Sequence, residues 1–388
     1  MSNENLLKQY DEWLTDGSHF AALVVRQWLV PVEGKDAVIF PPTYAKPERV
    51  REEDWLGYNI DRFSDGRNVC QIDSVGSQAN RIEPIFKQEE YKHLVPQVII
   101  TAGERQIHLL DAGHRAADAI VRFSSLAPQI EEAFRAWKDN GNAEPLAKIA
   151  PTSIVFGSWD SRSTQAKLPR IVRSVIRAYG VELLHRSAQY STIAGEILEG
   201  PDVEVTAKGP KAELGLAHVP APWTHGGVEV RGEIRRDGTL NLAALRALGA
   251  NSNGNDGLLK LRRYILGLAL VSFTAPQETF LREGCHLIPD PDHAAQWQLV
   301  KADGSREDYP IKHDQALAFA THVAKAFEVT QEPITASFDS KLANQILSLS
   351  EGDRKKLFRQ GPISWEAIEQ LKKGSKSATK KTGVQESK

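Results

Sequence analysis

Apolar and polar positions change rhythm along the chain in blocks short enough to read as separate elements. The first thirty or so residues pattern as a short helix followed by a strand, ALVVRQWLVPVEG. Residues 31–60 are rich in proline and charge (PPTYAKPERVREEDW) and predict irregular chain. In NVCQIDSVGSQANRIEPIF (68–86) an apolar start meets a small polar middle. That predicts a strand running into a helix N-terminus capped by Asp73 or Ser74. QVIIT (97–101) reads as a strand. In LAPQIEEAFRAW (126–137) Leu126, Ile130, Phe134 and Trp137 recur at helical spacing, and Asp139-Asn140-Gly141 predicts the stop. TSIVF (152–156) reads as a β-branched strand, and after Pro169 the pattern turns helical as far as Tyr179.

Residues 200–227, with AKGPKAELGLAHVPAPWTHGG, predict a long loop or an extended insertion. VEVRGEIRR then alternates Val228, Val230, Gly232 and Ile234 against Glu229, Arg231, Glu233 and Arg235, as a half-buried strand ending at an Asp-Gly turn signal. TLNLAALRAL and LLKLRRYILGLAL predict two helices, or a strand and then a helix. Residues 301–373 pattern as a helical C-terminal region that follows a core spanning 1–300. Residues 374–388 predict a disordered basic tail. There is no internal repeat.

Composition narrows the class. A chain of 388 residues, 41% apolar and 25% charged, can bury a sizeable core as a soluble globular protein. Two cysteines, Cys70 and Cys285, supply neither a disulfide framework nor a cysteine-rich zinc site, which favours a reducing compartment. The start MSNENLLKQYDEW is polar and acidic, unlike a secretory signal. The longest apolar run, YILGLALVSF (264–273), is half the length a bilayer needs and predicts buried core. The expectation is a cytoplasmic protein with no membrane partner.

Charge changes the picture at one place. The net charge is −2, yet Arg162, Lys167, Arg170, Arg173, Arg177 and Arg186 stand within 25 residues against one acid, Glu182. On the expected helix Arg170, Arg173 and Arg177 fall at i, i+3 and i+7 and share a face, with Pro169 in the first turn. Guanidinium groups in a row suit successive phosphates, because each fork can bind two oxygens. The preceding GSWDSRSTQAK is small and polar, with Ser161 and Arg162 placed to approach a phosphate; it is not a Walker A loop. A solvated surface helix normally interleaves Glu with Arg, and the absence of such acids favours a polyanion as the partner.

FGSWDSRSTQAKLPRIVRSVIRAYGVE, with DSVGSQANRIE upstream and GGVEVRGEIRRDGTLNLAALRAL and LRRYILGLAL…LREGCHLIP downstream, resembles the RAMP-type backbone subunit (the Cas-seven group) of the type I-U, or I-G, CRISPR Cascade effector. The resemblance runs over roughly residues 20–290; after 300 no motif can be placed. It implies an α+β fold: an RRM-like (ferredoxin-like) palm with inserted thumb and finger-like regions, 200–227 being the candidate thumb. It further implies a non-catalytic subunit, without metal or cofactor, that stacks in many copies along a CRISPR RNA beside other Cascade subunits. Such a subunit presents the guide for pairing with target DNA and reads backbone shape rather than sequence. Guide contacts are then expected at Ser77, Gln78, Asn80 and Arg81 and along Ser161, Arg162, Lys167, Arg170, Arg173 and Arg177. No RNP1-like segment is present, so arginine and backbone contacts are expected to dominate over aromatic stacking.

Three other constellations carry alternatives. Ser74, Ser77, Gln78, Asn80 and Arg81 also fit an ordinary capped helix. His108, Asp111, His114 and Asp118 have intervals suggestive of a metal site, against a structural His114–Asp118 hydrogen bond or a place for His114 and Arg115 near RNA. Asp160, with His185 further on, suggests a nuclease set, although it stands alone where two-metal cleavage wants several carboxylates. A metal-dependent ribonuclease using Asp160 or the His108–Asp118 cluster is the alternative function. Trp223 and His225 read either as anchors for the insertion or as contacts to a neighbouring copy.

Overall fold

The computed structural model describes residues 3–51, 55, 57–190, 213–216, 219–250, 254–360 and 363–371. Two short helices, Asn3–Lys8 and Asp11–Leu14, lead into β1 (Phe20–Pro31). There follow β2 (Ile60–Arg62), β3 (Asn68–Asp73), β4 (Val98–Ala102), β5 (Arg105–His108), β6 (Ser158–Trp159), β7 (Lys167–Leu168), β8 (Val172–Tyr179) and β9 (Val181–Tyr190). The later strands are β10 (Val219–Val230), β11 (Ile234–Asn241), β12 (Phe280–Arg282), β13 (Cys285–Pro289), β14 (Gln296–Lys301), β15 (Arg306–Asp308) and β16 (Ile334–Ser337). The longer helices are α1 (Val75–Ile82), α2 (Ala127–Asn140), α3 (Gly254–Thr274), α4 (His313–Ala326), α5 (Ser340–Leu347) and α6 (Glu351–Gln360). The molecule is thus a mixed α+β fold.

Nine strands form one antiparallel sheet in the order β12-β13-β1-β11-β8-β3-β2, with β14 and then β15 joined to the same edge of β1 as β13. Its register sorts side chains by period two. Leu23, Val25 and Leu29 of β1 pair with Leu240, Gly238 and Ile234 of β11, which pair in turn with Val172, Ser174 and Ala178 of β8. This face is buried beneath α1 and α3. The opposite face carries Arg26, Trp28, Arg235, Asp237, Thr239, Arg173, Arg177 and Gln71, all at least partly exposed. The main core draws on residues between Tyr10 and Ala336 and includes most of α3 from Leu261 to Val271, so the YILGLALVSF run is buried as expected; a second cluster holds Leu29, Ile72, Ile176 and Leu287. Among the described residues no helix is long and apolar enough to cross a membrane.

The strand into a capped helix at 68–82 forms as expected, with Ser74 Oγ accepting from Ser77 N–H. So does the helix ended by Gly141, whose φ of +67° closes α2. Five expectations change. The stretch after Pro169 is strand β8, not a helix: Val172, Ser174, Ile176 and Ala178 are buried in alternation with Arg173 and Arg177. TSIVF is one buried helical turn, Thr152–Val155, entered from Pro151. Asp237-Gly238 lies inside β11 rather than at a turn, because Phe273 of α3 packs onto Gly238, where a Cβ would stand 2.9 Å from the ring. VEVRGEIRR instead runs on from β10 into β11 across a bulge at Arg231–Glu233 opposite Gly180, where a Cβ on Gly232 would meet the Tyr179 carbonyl oxygen at 2.4 Å. Residues 219–227 of the expected insertion are part of β10, paired with β9 in a two-stranded ribbon.

Gly226 and Gly227 look like loop residues but sit at a bulge in that ribbon. Gly226 backs onto Leu184 and His185, and Gly227 has φ +89°. The rest of the candidate thumb, apart from 213–216, lies outside the described residues, as does the tail 374–388. The expected limit at 300 falls within β14. The region beyond it is not wholly helical, since β15 and β16 follow and β16 pairs in parallel with β4.

Candidate nucleic-acid interface

On the exposed sheet face the register draws one row across four strands: Gln71 beside Arg177, Arg177 beside Arg235, Arg235 beside Trp28. Arg235 is fully engaged. Its Nε lies 2.9 Å from Asp237, Nη1 2.6 Å from Glu233 and Nη2 2.9 Å from the Tyr179 hydroxyl, and its guanidinium sits 4.6 Å over the Tyr179 ring. Arg26 reaches Asp237 at 3.6 Å, and Trp28 donates its indole N–H to Glu233. Glu233 and Asp237, the acids beside Arg235, are therefore claimed. Arg173 and Arg177, four residues apart on either side of buried Val175, make no ion pair with any described residue. Two cations of one face without a counter-charge make a local positive field that attracts an external anion.

The loop leading into β8 extends the charge. β6 and β7 form a short hairpin, Ser158 opposite Leu168 and Trp159 opposite Lys167. Asp160, 4% exposed, closes the loop. Its carboxylate accepts from the Thr164 N–H and hydroxyl at 2.8 Å each, from Ser163 N–H at 3.3 Å and from Arg122 at 3.3 Å. Its backbone N–H donates to the Ala166 carbonyl and its carbonyl accepts from Gln165 N–H. With these donors on its carboxylate, Asp160 organises the loop. Arg162, Lys167 and Arg170 are left exposed around it and Ser161 partly so. Trp159, 60% exposed, stands beside them with Lys167 Nζ 6.0 Å from its ring centre.

The polar turn at α1 is placed differently from the expectation. Asp73, 1% exposed, accepts from Ser77 Oγ and Gln78 Nε2 at 2.7 Å each, from Arg81 Nε at 3.2 Å and from Arg282 Nη2 at 3.1 Å. Gln78 in turn accepts from Ser174. That bond puts α1 on the buried side of β8, so Ser77, Gln78 and Arg81 do not join Arg173 and Arg177 on one surface. Their donors serve an internal carboxylate.

Arg115 is likewise internal, 5% exposed with φ +53°, its Nε 2.7 Å from Glu83 and its guanidinium over Phe156. It donates to Asn80 Oδ1 and to the Gly157 carbonyl, which brings Asn80 to the base of the 157–170 loop near Arg170. Burial pushes the Glu83 carboxyl up to about 7 against the opposing pull of Arg115 and Thr152.

The suggested metal cluster disperses over two 3-10 turns rather than one helix. His108 bonds Gln97, Asp111 pairs with Lys87, and Asp118 caps the next helix while accepting from the His114 backbone N–H; the His114 ring is exposed. Among the described residues no three His, Cys, Asp or Glu side chains converge as metal ligands. His225 packs its ring on Tyr58 and over Gly57 as an anchor of the ribbon. Arg186 lies over Phe40.

Sequence reasoning did not single out Arg26, Trp28 or Trp159. The signal for the first two was the polar, aromatic alternation inside ALVVRQWLV, which places them on the side opposite Val25 and Leu29.

No curated protein matches the chain. Residues 23–183, which carry β1, α1, the 157–170 loop and β8, match the family model described as CRISPR-associated protein GSU0053, and this similarity supports a CRISPR-associated protein with a role in CRISPR defence.

Proposed function

We propose that the protein is a non-catalytic RNA-binding backbone subunit of a type I-U Cascade complex, stacking in copies along the CRISPR RNA. The observation that carries this reading is the exposed sheet face on which Arg173 and Arg177 lack counter-charges, continued by Arg162, Lys167 and Arg170. Guide phosphates supply the missing anions while the bases stay free for target DNA. The strand order β14-β1-β11-β8 supports an RRM-like palm. β1 reaches β8 through β2–β7 with helices α1 and α2 among them, β8 returns to β11 through the β9–β10 ribbon, and β11 crosses to β14 through α3, β12 and β13. The ribbon is the base of the proposed thumb. Partners are the guide, neighbouring copies and other Cascade subunits.

The test is the salt dependence of RNA binding by the purified protein. Each phosphate contact on a single strand contributes about 0.7 to the slope of log affinity against log salt. Arg173→Ala with Arg177→Ala should lower the slope by roughly 1.4 if each arginine holds one phosphate, and weaken unrelated guide sequences alike. An unchanged slope removes this face from the mechanism. Cleavage of labelled RNA with Mn²⁺, abolished by Asp160→Ala in a variant that still folds, would replace the reading with the nuclease alternative.

A further inference from the structure

Beneath the sheet, on the face away from the arginine row, lies a cavity of about 340 Å³ between β1, β11, α1 and residues 273–281. Its walls are mostly apolar, with Leu29, Ile82, Ile176, Phe273 and Leu287 among them. Into it opens Arg236 of β11, only 7% exposed. Among the described residues nothing accepts a hydrogen bond from its guanidinium or pairs with it. With no acceptor among the described residues, its guanidinium is open to the cavity, where an anion would offset the cost of taking the charge out of bulk water. Burial pulls its pKa down to about 10, so it stays charged at neutral pH.

The other charges of the cavity are accounted for. Arg81 is held by Asp73 and the Leu281 carbonyl, and Glu278 stands exposed at the rim. Gln27, opposite Arg236 in the β1–β11 register, adds an amide with no bond to a described residue. One unpaired cation, an amide beside it, apolar walls and an acid at the mouth describe a particular ligand chemistry. A monoanion with an apolar body fits the cation, the amide and the walls; Glu278 opposes a dianion about twice as strongly as a monoanion. The volume lies in the ordinary range for small-molecule sites.

We propose that this cavity binds an amphipathic carboxylate, its head paired with Arg236 and its tail against the apolar wall. The site is separate from the guide-binding face and does not rest on the reading of that face.

The probe is octanoate, titrated calorimetrically into the full-length protein, with 1-octanol and inorganic phosphate as the tail-only and charge-only arms. Octanoate should bind saturably, and octanol and phosphate each about ten- to a hundred-fold more weakly, the worth of a charge-assisted hydrogen bond. Arg236→Met, which removes an unpaired buried charge while keeping volume, should lose octanoate and keep octanol. Glu278→Gln, exposed at the rim and remote from the core, should tighten octanoate only. The proposal is overturned if folded wild-type protein does not bind octanoate. It is equally overturned if octanol or phosphate matches octanoate, or if neither variant changes the order.

Discussion

At the residue scale, Asp73 and Arg115 explain why the polar turn at 73–83 was legible as a cap but not as a network. A sequence displays Ser74, Ser77, Gln78 and Arg81 as donors and acceptors, and local spacing correctly placed the helix start. It does not display that Asp73 is 1% exposed and that Arg282, two hundred residues away, shares its carboxylate. Donors that looked available for phosphate are spent on an internal acid, because a buried carboxylate must be paired.

The same logic makes a prediction at Glu83. Its Oε1 is buried without a hydrogen-bond partner, and burial raises its pKa from 4.5 to about 7. Between those values the folded chain holds a proton that the unfolded chain has released, so stability falls as pH rises through this window. At 1.36 kcal/mol per unit the fall is on the order of 3 kcal/mol. Glu83→Gln mimics the neutral carboxyl that the folded chain holds in this window, so it should flatten the fall. Urea unfolding at pH 5 and pH 7.5 measures the difference. If both proteins lose the same stability between these pH values, Glu83 is ionised throughout.

At the element scale, β8 shows how one arrangement of arginines fits two periods. Arg170, Arg173 and Arg177 form a helical stripe, while Arg173, Val175, Arg177 and Tyr179 form one side of a strand. Burial on alternate positions and the β-branched residues Val172, Val175 and Ile176 decide for the strand. Arg173 and Arg177 share a face in either geometry because they stand four apart, whereas Arg170 precedes the strand and leaves the row. Gly238 is the companion case. Asp-Gly is a strong turn signal, and only the three-dimensional neighbour, the Phe273 ring, reveals that the glycine makes room instead. Gly238→Ala should therefore destabilise by about 1–3 kcal/mol through overpacking. Phe273→Leu should recover part of that loss in the double variant although it is itself destabilising, a coupling that a thermodynamic cycle resolves. Strictly additive losses would mean the ring does not press on the strand.

At the scale of the whole molecule, the limit expected at residue 300 marks where recognisable motifs end and not where packing ends. β14 runs to Lys301 along the edge of β1, and β16 supplies a parallel neighbour to β4. α4 lays Ala320 and Val323 against Gly267 of α3, where there is no room for a larger residue. Ile311, Phe319, Val323 and Phe327 belong to the same core as Leu23 and Leu240. Long-range packing of this kind leaves no local trace in a sequence, since each segment carries only its own periodicity. A chain ended at 300 forfeits all of those side chains, each worth about 1.5–3 kcal/mol of burial, against a total stability of about 5–15 kcal/mol. It should lack a cooperative thermal transition. A chain ended at Phe338 keeps that core and β16 and loses only the small cluster around Leu342, Ile346 and Leu357, so it should still melt cooperatively at a lower midpoint. Circular dichroism of the two fragments beside the full chain decides the matter: cooperative melting of the 300-residue fragment near the full-length midpoint would show that the C-terminal helices pack on a core already complete without them.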